Sequence, residues 1–151
     1  MTSVLKKSSI SCELAQELVN AAIARANQIG VRENIAVLDE GGNLTAFGRM
    51  DGAPIFCIQL AQNKAYTALF GYPTDEFFNF IKGDPSLLAG IPMLARAAAI
   101  GGGFPIQMGG EIIGSIGVSG APSVQSDVDC ALAALALVSE QSQGAMRGGG
   151  K

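Results

Sequence analysis

Leu14, Leu18, Ala22, Arg25 or Ala26, and Ile29 recur every three or four positions, the spacing of one helical face. Ser11 stands where an N-cap belongs, Glu13 falls in the first turn and Gly30 offers a C-terminal stop. The pattern therefore predicts a helix from Cys12 to Ile29. The next segments, "NIAVLDE" (34–40) and "LTAFGRM" (44–50), are short, apolar or alternating, and Gly41, Gly42 and Asn43 separate them. They predict a β-hairpin. "DGAP" at Asp51–Pro54 breaks the pattern, and Ile58, Ala61, Ala65 and Leu69 then share a stripe on a helix spanning about 55–70. A shorter helix follows with Thr74 as its expected cap and Asp75 and Glu76 in its first turn. Residues 83–92 are turn-rich. Periodicity does not separate strand from helix end over 93–100.

The segment "IGGGFPIQMGGEIIGSIGVSG", Ile100–Gly120, holds eight glycines in twenty-one residues. "FPIQM" predicts a strand, Gly109–Gly110 a two-residue turn, and "EIIGSIGVSG" the returning strand. Glycines inside a strand mark close approach of another backbone. Ser126 is the expected cap of a last helix from Asp127 to about Gln141, apolar on most of its circumference. The order of elements predicts an α+β fold with an antiparallel sheet. It reads as a single domain over 1–151, with a core at about 11–142 and a flexible tail at 143–151.

Composition narrows the function. Apolar residues make up 48 % and charged residues only 15 %, so apolar surface is left over for a second copy of the chain, and a homo-oligomer is expected. The net charge of −3 and the lack of a Lys/Arg cluster argue against nucleic acid and against a membrane surface. No apolar run follows Lys6 and Lys7, which gives the expectation of a cytoplasmic protein without a signal peptide. Cys12, Cys57 and Cys130 read as free thiols. The chain has no histidine, which removes an imidazole base and a histidine metal ligand, and no metal site is expected.

The glycine-rich segment fails as a phosphate loop. A Walker loop needs Lys-Ser/Thr after its second glycine, and a dinucleotide loop needs a helix after the glycines. Here Phe104, Pro105 and a strand follow. The glycines read first as tight backbone packing and second as a pocket wall. Lys64 lies mid-helix between Leu60 and Ala68. It reads as a snorkelling lysine, as a cation holding Asp51 or a ligand carboxylate, or as a base or Schiff-base nucleophile. Asp39 and Glu40 read as solvated turn residues. Arg96, alone in an alanine-rich run, wants an anion from its own protein or from a ligand. Met50, Met93, Met108, Tyr66 and Tyr72 are the soft or phenolic groups able to ligate a haem iron, although each also serves as packing.

Three blocks, "RMDGAPIFCIQLAQNKAYTA", "GGGFPIQMGGEIIGSIGVSG" and "QSDVDCALAALA", resemble the signatures of the GlcG/HbpS family, also called the haem-degrading or DUF336 family. It includes the C-terminal domain of PduO-type corrinoid adenosyltransferases. The resemblance runs from about Ser11 to Leu137. It implies a profilin-like fold with a five-stranded antiparallel sheet and helices on its faces, and assembly as tetramers, hexamers or octamers. It also implies haem or a corrinoid as possible cofactors. In some haem-binding members a histidine near the first helix ligates iron, and that ligand is missing here. The Glu-x-x-Glu iron motif of secreted members is missing too, since Glu13 and Glu17 are four apart. Asp51, Gly52, Ala53, Lys64, Gly101, Gly102, Gly103 and Pro105 match the blocks and form the expected ligand wall, with Arg96 as anion partner. Three readings stay open. One is an oligomeric accessory protein of a catabolic pathway that binds haem, a corrinoid or a smaller anionic metabolite. Another is an enzyme acting on a small carboxylate or carbonyl compound through Lys64 and backbone amides. The last is a scaffold for a neighbouring enzyme.

Overall fold

The Ser11 hydroxyl accepts a hydrogen bond from the Leu14 amide at 3.1 Å and opens helix α1, Cys12–Ile29, which ends on Gly30 with a left-handed φ of 76°. Both ends thus form as the sequence predicts. The computed structural model describes residues 3–148, with side chains through residue 140. After α1 come β1 (Asn34–Asp39), β2 (Leu44–Arg49), α2 (Cys57–Ala68), α3 (Thr74–Ile81) and α4 (Pro85–Gly90). A single 3₁₀ turn at Ile91–Met93 leads to β3 (Gly103–Met108), β4 (Glu111–Ser119) and α5 (Val124–Gly148).

The fold is α+β, with an antiparallel sheet in the order β2-β1-β4-β3. Four strands pair among the described residues, where the resemblance implied five. The segment left undecided at 93–100 is not a strand. Its amides go elsewhere: Leu94 N–H to the Ile91 carbonyl, Ala97 N–H to Leu94, and Ala98 N–H to the Thr67 hydroxyl. Two caps also differ from expectation. Thr74 is the first residue of α3, with Pro73 before it; its hydroxyl accepts from the Gly103 amide at 2.9 Å and donates to the Ile100 carbonyl. Helix α5 starts at Val124, ahead of Ser126, and runs to Gly148, past the expected end near Gln141. The last three residues of the expected tail lie outside the described residues.

Helices cover both faces of the sheet. On one face α1 packs beside α5, α1 over β1 and β2, and α5 over β3 and β4. Leu18, Val19, Ala22 and Ala26 from α1 meet Ile35, Val37, Ile116 and Val118 from the sheet and Ala131, Ala134 and Val138 from α5. Each large side chain buried there contributes about 1.5–3 kcal/mol. On the other face α2 lies across β4, β1 and β3, and the start of α3 touches β3 through Thr74. Glycine makes that contact possible. Gly103, Gly117 and Ala36 stand in one row across β3, β4 and β1. A Cβ on Gly117 would collide with the Ala61 carbonyl and sit 2.6 Å from the Ala65 nitrogen. A Cβ on Gly103 would collide with the Lys64 carbonyl and sit 2.6 Å from Thr74 Cγ2. The backbone of α2 therefore rests directly on the sheet.

This contact predicts that Gly117→Ala destabilises the protein by about 1–3 kcal/mol or more, because backbone rather than a flexible side chain must yield. Gly83→Ala, which meets nothing within 4 Å, serves as the control and leaves stability nearly unchanged. Urea denaturation of the two variants checks the difference. Equal midpoints would contradict the packing assignment.

Candidate functional site

Among the described residues Lys64 is the largest fully buried side chain, only 1 % exposed. Its Nζ donates to Asp127 Oδ2 at 2.8 Å and to the Val118 carbonyl at 2.9 Å. The partner is Asp127, not Asp51, which is exposed. A third charge-bearing group joins them. The Ala121 amide donates to both Glu33 Oε2, at 3.0 Å, and Asp127 Oδ1, at 3.1 Å. Desolvation, reinforced by the Asp127 charge and by a hydrogen bond to it, raises the Glu33 pKa from 4.5 to about 8. Glu33 therefore keeps its proton at neutral pH beside the Lys64–Asp127 ion pair. The same surroundings, desolvation first and then the Glu33 and Asp127 charges, push the buried Cys130 thiol up to about 12. It stays a neutral core group.

Gly101, Gly102 and Gly103 are all buried. Gly102 lies against the cluster: it has φ of 119°, and a Cβ there would lie 2.6 Å from the Val118 carbonyl and 3.0 Å from Lys64 Nζ. It lets the chain pass over the ion pair, while a Cβ on Gly101 would meet Val124 and one on Gly103 the backbone of α2. Gly52, with φ of 81°, turns the exposed loop between β2 and α2. Ala53 beside it is buried. The Lys64 ammonium has no open face for a substrate.

A cleft of about 780 Å³ opens elsewhere, between α2, α3 and the 87–97 segment. Tyr66, Phe70, Phe77, Phe80, Ile81 and Leu94 wall it, together with Arg96. Arg96 is the one residue of the expected ligand wall that lines it. Its guanidinium lies 3.7 Å over the centre of the Tyr66 ring and donates to the Gly42 carbonyl at 2.9 Å. Stacking and that hydrogen bond fix the cation and leave further N–H groups for an anion. The turn that supplies Gly42 is itself tied by Asp39, whose Oδ1 accepts from the Gly41 and Asn43 amides at 2.9 Å. Glu40, read from the sequence as a solvated turn residue, lines the cleft, and its Oε2 is buried without a hydrogen-bond partner. Of the groups able to ligate a haem iron, Tyr66 lines the cleft, Met50 is buried with its sulfur against the Glu33 amide, and Met93 is 84 % exposed. The phenylalanines were missed. The density of "GYPTDEFFNF" was their only signal, and it does not say which rings converge. Among the described residues no three His, Cys, Asp or Glu side chains converge to hold a metal ion. No helix there is long and apolar enough to cross a membrane.

The family model for haem degrading protein HbpS-like matches residues 10–136. An uncharacterized 15.0 kDa protein encoded in the dhaT-dhaS intergenic region of Citrobacter freundii is 34 % identical over 135 residues, covering 87 % of this chain and 94 % of that one. The crystal structure of Klebsiella pneumoniae protein ORFY, of family DUF336, superposes with a TM-score of 0.86 at 30 % identity, covering 92 % of this chain and 97 % of that one. The crystal structure of a PduOC:heme complex superposes with a TM-score of 0.78 at 30 % identity, covering 85 % and 94 %.

The buried cluster generates two expected outcomes. Lys64→Met leaves Asp127 buried without its cation and destabilises the fold by about 3–5 kcal/mol, read as a lowered denaturation midpoint. Glu33 has a raised pKa in the folded protein. Its contribution is fully present below pH 4.5 and is lost as pH rises toward about 8. Glu33→Gln, which keeps the donor of the neutral acid, removes that decline. Stability measured across this pH range in both proteins checks it; parallel curves would contradict the assignment.

Proposed function

The chain belongs to the haem-degrading HbpS-like family, and from that premise we propose that it is a self-associating, small-ligand-binding accessory protein whose site is the aromatic cleft beside Arg96. The observation that carries this reading is the cleft itself. Aromatic and aliphatic walls suit a flat apolar molecule, and one fixed guanidinium suits an acidic group at its edge. Haem has both properties, as does any flat carboxylate of similar size. Tyr66 would offer the iron a phenolic oxygen in a chain without histidine, and Arg96 would hold a propionate. When bound, haem supplies a redox-active iron; the chain's own residues bind, orient and exclude water.

Self-association draws on the surface. Ile55, Phe56, Met93 and Leu94 are 80, 74, 84 and 60 % exposed, apolar area that a second copy of the chain would cover. The cytoplasm, with its reduced thiols, is the compartment that fits Cys12, Cys57 and Cys130, all free.

Haem titration of the purified protein tests the reading. A saturable Soret band at about one haem per chain is expected, with Tyr66→Phe altering the ligand-sensitive bands and Arg96→Ala weakening binding about tenfold or more. A flat titration would exclude haem. Unchanged haem affinity in Arg96→Ala would exclude this cleft as its site.

A further inference from the structure

A second, smaller cavity of about 350 Å³ adjoins the cleft and lacks its cation. Its walls are Phe70, Tyr72, Phe77, Phe80 and Glu76. Local structure gathers these rings. Phe77 and Phe80 lie three apart on α3 and so share a face. Gly71, with φ of 110°, turns the chain between Phe70 and Tyr72 after α2. The Phe70 ring sits 5.7 Å from Tyr72, tilted by 41°, and 5.6 Å from Phe77, tilted by 54°. Phe77 and Phe80 are 6.5 Å apart. Phe77 and Phe80 are near-parallel, at 26°, and Phe70 is tilted against both Phe77 and Tyr72, so the rings form adjoining walls. Phe70, Tyr72 and Phe80 keep 64, 53 and 64 % of their surface exposed, so the rings do not satisfy one another.

No lysine or arginine lines this cavity, and its one ionisable wall residue other than the tyrosine is an acid. Ring faces carry negative potential and attract a cation within about 6 Å of their centres, most strongly when water is excluded. A carboxylate at the rim adds to that attraction. A primary ammonium is strongly hydrated and wants hydrogen-bond acceptors, which an aromatic wall lacks. A methylated ammonium gives up little hydration and presents an apolar shell. We propose that this cavity is an aromatic cage for a quaternary or methylated ammonium group, with Glu76 as its counter-charge. The cage shares the Phe70, Phe77 and Phe80 walls with the cleft, but Arg96 lines only the cleft and Glu76 only the cage.

Choline tests the cage, with its uncharged tert-butyl isostere as control. Amide NMR shifts over residues 70–80 locate the binding. Tyrosine emission follows it, since the chain has two tyrosines and no tryptophan. Saturable choline shifts confined to that segment are expected, with the isostere about tenfold weaker. Glu76→Gln should weaken choline several-fold and leave the isostere unchanged. Phe80→Leu, which keeps an apolar wall at an exposed position but removes a ring, should do the same without lowering the melting temperature. Arg96→Ala should leave choline binding intact, which separates this outcome from that of the cleft. Equal affinity for choline and its isostere would reduce the cavity to an apolar pocket and overturn the proposal. So would the absence of saturable choline shifts, whatever the result of the haem titration.

Discussion

A lysine ammonium with almost no contact with water has to be neutralised, and its neutralisation organises one end of this fold. Lys64 comes from α2 on one face of the sheet, and Asp127 from α5, which packs on the other. They meet past the end of β4, where the Val118 carbonyl and the Ala121 amide complete the hydrogen bonds. Breaking such a pair costs more than making it contributes, because the remaining charge would stay buried. The two helices, the end of β4 and the start of β1 are thereby held together. Glu33 keeps its proton beside Asp127, so no second negative charge is forced into the same space.

This arrangement also explains the glycines. An ammonium can reach across the sheet end only if the chain above it carries no side chain, which Gly102 satisfies. The helix that supplies it must lie close to the strands, which Gly103 and Gly117 allow. The glycine-rich segment is thus part of the scaffold around a buried charge. The aromatic cleft lies around the helix from the buried ammonium and not along it: Tyr66, two residues on from Lys64, is partly exposed, and with the phenylalanines around α3 it stands next to the Arg96 cation. A rigid buried face and an open aromatic face would suit the proposed holding of a small molecule without reorganising the core.

The candidate site was only partly legible in the chain. Arg96 was found because an isolated arginine in an apolar run has few physical options. Lys64 was singled out for the same reason, yet its partner could not be read. Asp127 lies sixty-three positions away on another helix, and nothing local links the two. Glu40 was misread because a carboxylate beside a turn is usually solvated, whereas here the cleft closes over one of its oxygens. Phe77 and Phe80 were visible only as apolar content, since convergence with Phe70 depends on the turn at Gly71 and on how α3 docks.

The sequence by itself determined what is local or cumulative. That includes the ends and apolar face of α1, both hairpins, the lack of any imidazole, and family membership through blocks that run along nearly the whole chain. Propensity, capping and periodicity act within a few residues, so they can be read along a line. The tertiary structure alone decided the number of strands, the partner of Lys64, the protonation of Glu33 and which aromatic rings share a cavity. Each of these depends on the distance between groups far apart in sequence. Desolvation, which sets the strength of a charge and the value of a ring face, exists only once the chain has closed around them.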